Sequence, residues 1–177
     1  HEVKYRVDHN IGVIPNERFR LLWGGIAQWH NLGFYNHLES LGAVFTIETN
    51  YYRDAYTDDI DFSNPLEAMA LMAWDDRERM GRRARAYGDV GDPRAGLVLE
   101  LVRDYKVDGV IFHMIFSCRP ISIGWTHTRN VLRDRLNLPT FLMESDICDT
   151  RAFSEAQTES AVNAFMETVA ETKRTRG

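Results

Sequence analysis

Hydrophobic positions along this chain fall into runs of two periods, and their alternation predicts the fold. ERFRLLW, residues 17–23, alternates loosely and stops at Gly24-Gly25, which reads as a strand followed by a turn. Ile26, Trp29, Leu32 and Leu41 then recur near one helical face before Gly42, so a helix is predicted over 26–41. The β-branched stretch Ala43–Thr49 is a second strand. Beyond a polar, tyrosine-rich loop, Asn64-Pro65-Leu66-Glu67 combines a capping side chain, a proline at the first helical position and a glutamate placed to reach back, so a helix is predicted to run through Met72 and Trp74. The basic segment 77–88 continues it or forms a solvated surface helix.

Asp92-Pro93 opens the next helix, with Leu97, Leu101 and Tyr105 at four-residue intervals. GVIFHMIF is the third strand, and a helix is predicted from about Trp125 with Val131, Leu132 and Leu136 on its apolar side. Pro139 leads into TFLMES, the fourth strand. Ser154 and Gln157 have capping-box spacing ahead of a last helix carrying Ala161, Phe165 and Val169. Strands separated by helices imply an α/β fold: an open, mainly parallel sheet of about four strands with helices on both faces, flavodoxin- or Rossmann-like, joined by right-handed crossovers.

Composition narrows this to one ordinary α/β domain spanning residues 1–177. The chain has 177 residues, 44% hydrophobic and 27% charged, enough to bury a full core. A formal charge of −5 with dispersed basic residues argues against a nucleic-acid partner. No apolar run approaches the roughly 18–20 residues of a membrane span and no signal-peptide pattern is visible, so the expectation is a cytoplasmic protein without membrane contact. Cys118 and Cys148 form neither a disulfide framework nor a CxxC pair, which fits a reducing compartment. The first residues, HEVKYRVDHN, lack a starting Met and read as part of something longer.

In an open α/β sheet, ligands bind at the carboxyl ends of the strands. Residues 23–29, 49–56, 117–123 and 144–149 should meet on that edge, and both cysteines belong to this set. Cys118 precedes Arg119-Pro120 and a helix start, where peptide N–H groups and a guanidinium favour thiolate. Its local sequence is equally compatible with a small buried hydrophobe. A Cys-His hydrolase is disfavoured because His113 lies a strand length away, and a zinc site because ligand spacing is missing. Two thiols are too few for a complete [4Fe-4S] cluster, so any such cluster held by Cys118 takes its remaining ligands from outside this chain. Cys148, between Asp146 and Asp149, reads as structural, and Glu144, Asp146 and Asp149 read as a loop approaching a helix. Among the aromatics near the first two strand ends, Phe34 reads as core, Tyr51, Tyr52 and Tyr56 fit the rim of an apolar pocket, and Trp23, Trp29 and His30 are candidate substrate contacts.

RLLWGGIAQWHNLGFYNHLESLGAVF, NPLEAMA, DGVIFHMIFSCRPISIG and LPTFLMESDICDTRAFSEAQTESAVNAFME, in that order, resemble the C-terminal part of the 2-hydroxyacyl-CoA dehydratase and benzoyl-CoA reductase family, from about Arg18 to Glu167. The resemblance implies the C-terminal domain of a longer subunit of an anaerobic enzyme, paired with a related second subunit. It also implies a separate ATP-hydrolysing iron–sulfur activator and an acyl-CoA substrate, on which an injected electron makes a ketyl-type radical or drives ring reduction. Carried over, Cys118 matches the family's Ser-Cys-Lys/Arg step as a ligand to a [4Fe-4S] cluster. Ser117 and Arg119 then shape its surroundings, and His113 is a candidate for proton handling. Where members often carry Asn-Arg before Ser-Cys, this chain has Ile115-Phe116. That departure keeps open a non-catalytic electron-relay or assembly subunit, and a related double-cluster reductase is a third alternative. The acyl group, the CoA contacts and the choice between reduction and dehydration are not encoded in any motif present.

Overall fold

The computed structural model describes residues 1–52, 60–88 and 90–176; Tyr56 lies outside them, as do the side chains at 76, 77, 79, 80 and 83 in the middle of the chain. A short exposed helix α1 (Glu2–Asp8) precedes strand β1 (Phe19–Gly24), helix α2 (Gly33–Ser40) and strand β2 (Ala43–Glu48). Helices α3 (Pro65–Ala86) and α4 (Pro93–Asp104) lead to β3 (Gly109–Ile115). A single turn α5 (Arg119–Ser122), helix α6 (Trp125–Leu136), β4 (Thr140–Ser145) and the long α7 (Glu155–Arg176) complete the order. Asp92 caps α4 by accepting from the Arg94 amide, and Pro93 occupies its first turn, as its sequence requires. At the start of α3, the Asn64 amide nitrogen donates to Glu67 at 2.9 Å.

All four strands are parallel, in the order β2-β1-β3-β4. Winding therefore reverses between β1 and β3. One face of the sheet packs Leu21, Trp23, Ile111 and Met143 under α2 and α7, through Phe34, Leu38, Val162, Phe165, Met166 and Val169. The other packs Leu22, Val110 and Phe112 under α4 and α6, through Leu97, Val98, Leu101, Trp125 and Leu132. Phe112 stacks on Trp125 with ring centroids 4.4 Å apart. Gly109 permits α7 to lie close: a Cβ there would stand 2.7 Å from Val169 Cγ2.

Several elements differ from their sequence patterns for identifiable reasons. The helix predicted over 26–41 begins only at Gly33, because residues 26–32 form a loop whose backbone serves other partners. In α6 the buried positions are Trp125, Thr128 and Leu132, and Leu136 is exposed at the last turn. In α7, Phe165 and Val169 are buried as expected, Val162 and Met166 are buried beside them, and Ala161 is only half-buried, so the inward face is wider than the four-residue spacing alone marks. The segment 77–88 continues α3 through Ala86. On its inner side α3 buries Ala68 and Ala84, while Leu66, Met69 and Trp74 form an exposed apolar stripe on its first half. No helix among the described residues is long and apolar enough to cross a membrane.

The amino edge of the sheet is closed by charge. Asp108 Oδ2 accepts from the Arg20 amide at 2.9 Å and from Lys173 Nζ at 2.7 Å, and Lys173 also donates to the Arg18 carbonyl.

Candidate functional site

At the carboxyl edge, the loops after β1, β3 and β4 are tied together by polar side chains. Gly24 lies flat beneath Phe112, where any Cβ would overlap the ring, and Gly25 has φ +100°, a conformation suited to glycine. The chain then turns under His113, whose Nδ1 is 2.7 Å from the Ile26 carbonyl and whose Nε2 is 2.7 Å from Ser145 Oγ. A carbonyl only accepts, so the ring carries its proton on Nδ1 and Nε2 accepts from the Ser145 hydroxyl. Burial pushes the His113 pKa down, so the imidazole is held neutral.

Ser145 is also 3.4 Å from the Gln28 amide nitrogen, which lies 3.4 Å from His30 Nε2. His30 Nδ1 faces the Ile147 carbonyl at 3.4 Å, so its Nε2 is free to accept from Gln28. Gln28 is fully buried, its backbone N–H donates to Tyr35 Oη, and its side-chain Oε1 has no hydrogen-bond partner. Burial pushes the Tyr35 pKa up to about 12, so the phenol stays protonated.

Asp146 joins the other two loops. One carboxylate oxygen accepts from the Ser117 amide at 3.1 Å, and the second accepts from the amides of Cys148 at 3.0 Å and Asp149 at 3.2 Å. The Ser117 side chain first, and then these amides, hold the carboxyl well below the usual carboxylate range. The same carboxylate thus fixes the backbone just before Cys118 and at Cys148. Cys118 is half-buried at the N-terminus of α5, and Cys148 is exposed. Below them, Ser122 Oγ accepts from the Ile115 amide and donates to its carbonyl, clamping the turn onto the end of β3.

The structure separates the residues singled out from sequence. Trp23 is 3% exposed and belongs to the core: its ring packs on Phe34, Tyr35, Phe45 and His113, and its indole donates to the Ile26 carbonyl. Trp29 is 57% exposed on the following loop, and His30 is half-buried against Phe153. Ser117 and Arg119 are exposed on either side of Cys118, whereas His113 is sealed beneath the edge. Among the described residues, no three His, Cys, Asp or Glu side chains gather in a way that could hold a metal ion. Gln28 and Asp146 were missed as organisers. An acidic residue immediately after a strand and two residues before another backbone turn was the available signal for Asp146; for Gln28 there was none.

Beside Cys118 the winding reversal opens a cavity of about 190 Å³ on the α4/α6 side. Thr49 and Asn50 after β2, Leu97 and Val98 of α4, Pro120 and Ile121 of α5, and Trp125 form its walls, and Arg94 stands at its rim. The Arg94 guanidinium pairs with Asp92 at 3.0 Å and lies 5.5 Å from the Trp125 ring centre.

A four-stranded parallel sheet with a cysteine-bearing turn at its switch-point edge defines an open, doubly wound α/β domain. The chain matches the family model of the 2-hydroxyglutaryl-CoA dehydratase D-component over residues 1–169 and belongs to that family. It is 26% identical over 158 residues to the alpha subunit of lactoyl-CoA dehydratase of Anaerotignum propionicum, covering 85% of this chain and 34% of that protein. It is 36% identical over 67 residues to the alpha subunit of (R)-2-hydroxyglutaryl-CoA dehydratase of Acidaminococcus fermentans, covering 38% and 14% of the two chains. A benzoyl-CoA reductase subunit of Thauera aromatica is 26% identical over 76 residues, 43% of this chain and 18% of that one. The chain thus spans about a third of the length of the lactoyl-CoA dehydratase subunit and less of the other two.

Proposed function

We propose that this chain is the C-terminal domain of a subunit of an iron–sulfur acyl-CoA dehydratase or reductase, with Cys118 one ligand of a [4Fe-4S] cluster. The observation that carries the reading is the placement of Cys118: a half-buried thiol on a clamped turn at the carboxyl edge, beside the switch-point cavity. In this proposal Cys118 is one corner of the cluster, and its other ligands come from outside this chain. When bound, the cluster would supply low-potential electrons and a Lewis-acidic iron. The chain's own residues orient Cys118, through Asp146 on the Ser117 amide and Ser122 on Ile115, and leave Ser117 and Arg119 exposed at its sides. His113, neutral and engaged on both nitrogens, serves this site by holding the β1 and β4 loops together. The related second subunit, the ATP-hydrolysing iron–sulfur activator and the acyl-CoA substrate belong to the same proposal, as does a cytoplasmic setting.

The test is anaerobic iron and sulfide analysis with EPR on the full-length subunit and its partner, comparing wild type with Cys118→Ser. Loss or conversion of a cluster is expected, and an unchanged cluster would return Cys118 to a packing role. A second reading, a non-catalytic relay or assembly subunit, is favoured by Phe116, 59% exposed beside Ser117, and by the apolar stripe on α3. Acyl-CoA binding separates the two: the relay subunit's complex would bind the thioester only through its partner.

A further inference from the structure

We infer that the cavity beside α5 is the subsite for the acyl tail of the thioester, and that it limits the tail to about six carbons. The inference rests on the acyl-CoA reading for the identity of the ligand, and on the cavity itself for its place and size.

The walls are mostly apolar: Leu97, Val98, Pro120, Ile121 and Trp125. They are also stiff. Val98 and Trp125 are core residues, and Trp125 is held by its stack on Phe112. A preformed apolar hollow of this kind binds small apolar bodies. An engineered cavity of about 150 Å³ takes benzene, so about 190 Å³ accommodates a group of similar size or slightly larger.

The rim supplies what a carbonyl needs. Arg94 donates twice to Asp92 and weakly to the Pro120 carbonyl at 3.4 Å. A guanidinium has five N–H groups, so donors remain for an acceptor oxygen at the mouth. The Thr49 hydroxyl accepts from the Gly25 amide at 3.2 Å and keeps its own proton to donate. Because Asp92 neutralises Arg94, the rim favours a neutral carbonyl over a free anion. An apolar body with one acceptor oxygen at its end is the chemistry of an acyl thioester. The cavity also lies next to the turn that carries Cys118, since Pro120 and Ile121 belong to that turn.

The experiment uses the full-length subunit with its partner, labelled at leucine, valine and isoleucine methyl groups. It is titrated with N-acetylcysteamine thioesters of increasing acyl length, which carry the thioester without the nucleotide. Saturable shifts are expected at the Leu97, Val98 and Ile121 methyls. Affinity should rise about fourfold per methylene up to about six carbons and fall beyond. Ile121→Trp fills the mouth from the half-buried side and should weaken binding by at least about tenfold. Free N-acetylcysteamine should leave these methyls unmoved.

Thioesters that shift none of these methyls, shifts that persist undiminished in a folded Ile121→Trp, or affinity that climbs past about eight carbons would each overturn the inference. The length dependence is read on the wild type and so stands even if the variant does not fold. A cluster lost in Cys118→Ser with no methyl response sinks the subsite and leaves the cluster reading intact. Methyl shifts with an unchanged cluster leave the subsite and sink the other.

Discussion

His113 shows how one buried side chain can be read as chemistry in sequence and as architecture in structure. In GVIFHMIF it stands out as the polar residue of an apolar strand, and the resemblance makes it a candidate for moving protons. In the fold its two nitrogens bridge the Ile26 carbonyl and the Ser145 hydroxyl, and its burial lowers its pKa. The sign of the pH effect follows. The unfolded imidazole takes up a proton near pH 6.5, before the folded one does, so the stability held above that pH is lost as pH falls toward the lowered folded value. Urea midpoints measured from pH 7.5 down to 5 should therefore fall in the wild type and run flatter in His113→Phe. At pH 7.5 the same variant should lose roughly 1–3 kcal/mol, because the buried Ser145 hydroxyl loses its acceptor and the Ile26 carbonyl keeps only the Trp23 indole.

At the scale of elements, the strands and the Asp92 cap were legible and the loops were not. β1, β2, β3 and β4 lie where β-branched and aromatic runs placed them, and Asp92-Pro93 caps α4 as its residues require. The helix expected over 26–41 starts seven residues late, at Gly33, because spacing cannot register that the Ile26 carbonyl and the Gln28 backbone N–H have side-chain partners 87 and 7 residues away. Trp23 was misplaced in the same way: a tryptophan at a strand end looks like a pocket wall until α2 and β2 close over it. Asp146 is the clearest loop organiser. Replacing it with alanine leaves the Ser117, Cys148 and Asp149 amides without their acceptor. Amide hydrogen exchange at Ser117 and Cys148 should then accelerate together, while amides in the middle of β3 keep their protection.

For the whole molecule, stabilising charge and candidate chemistry lie at opposite edges of the sheet. Asp108 accepts from a β1 amide and from Lys173 of α7, so it ties three elements together at the amino edge. Lys173 is itself half-exposed. Lys173→Ala should cost under about 1 kcal/mol and Asp108→Ala about 1.5–3 kcal/mol, compared by chemical denaturation. Neither should alter cluster content or the methyl response to thioesters.

The strand order carries a consequence for how this chain folds. Gly25 meets Thr49 across 24 residues, and His113 meets Ser145 across 32, so each half of the sheet gathers from a short segment around its own crossover. Arg20 meets Asp108 across 88, which makes the seam between β1 and β3 the contact with the larger loop-closure entropy. The cavity beside Cys118 lies along that seam, with walls drawn from both halves. It therefore has no counterpart in either half alone, and comes into existence only when the pairing with the largest loop-closure cost is made.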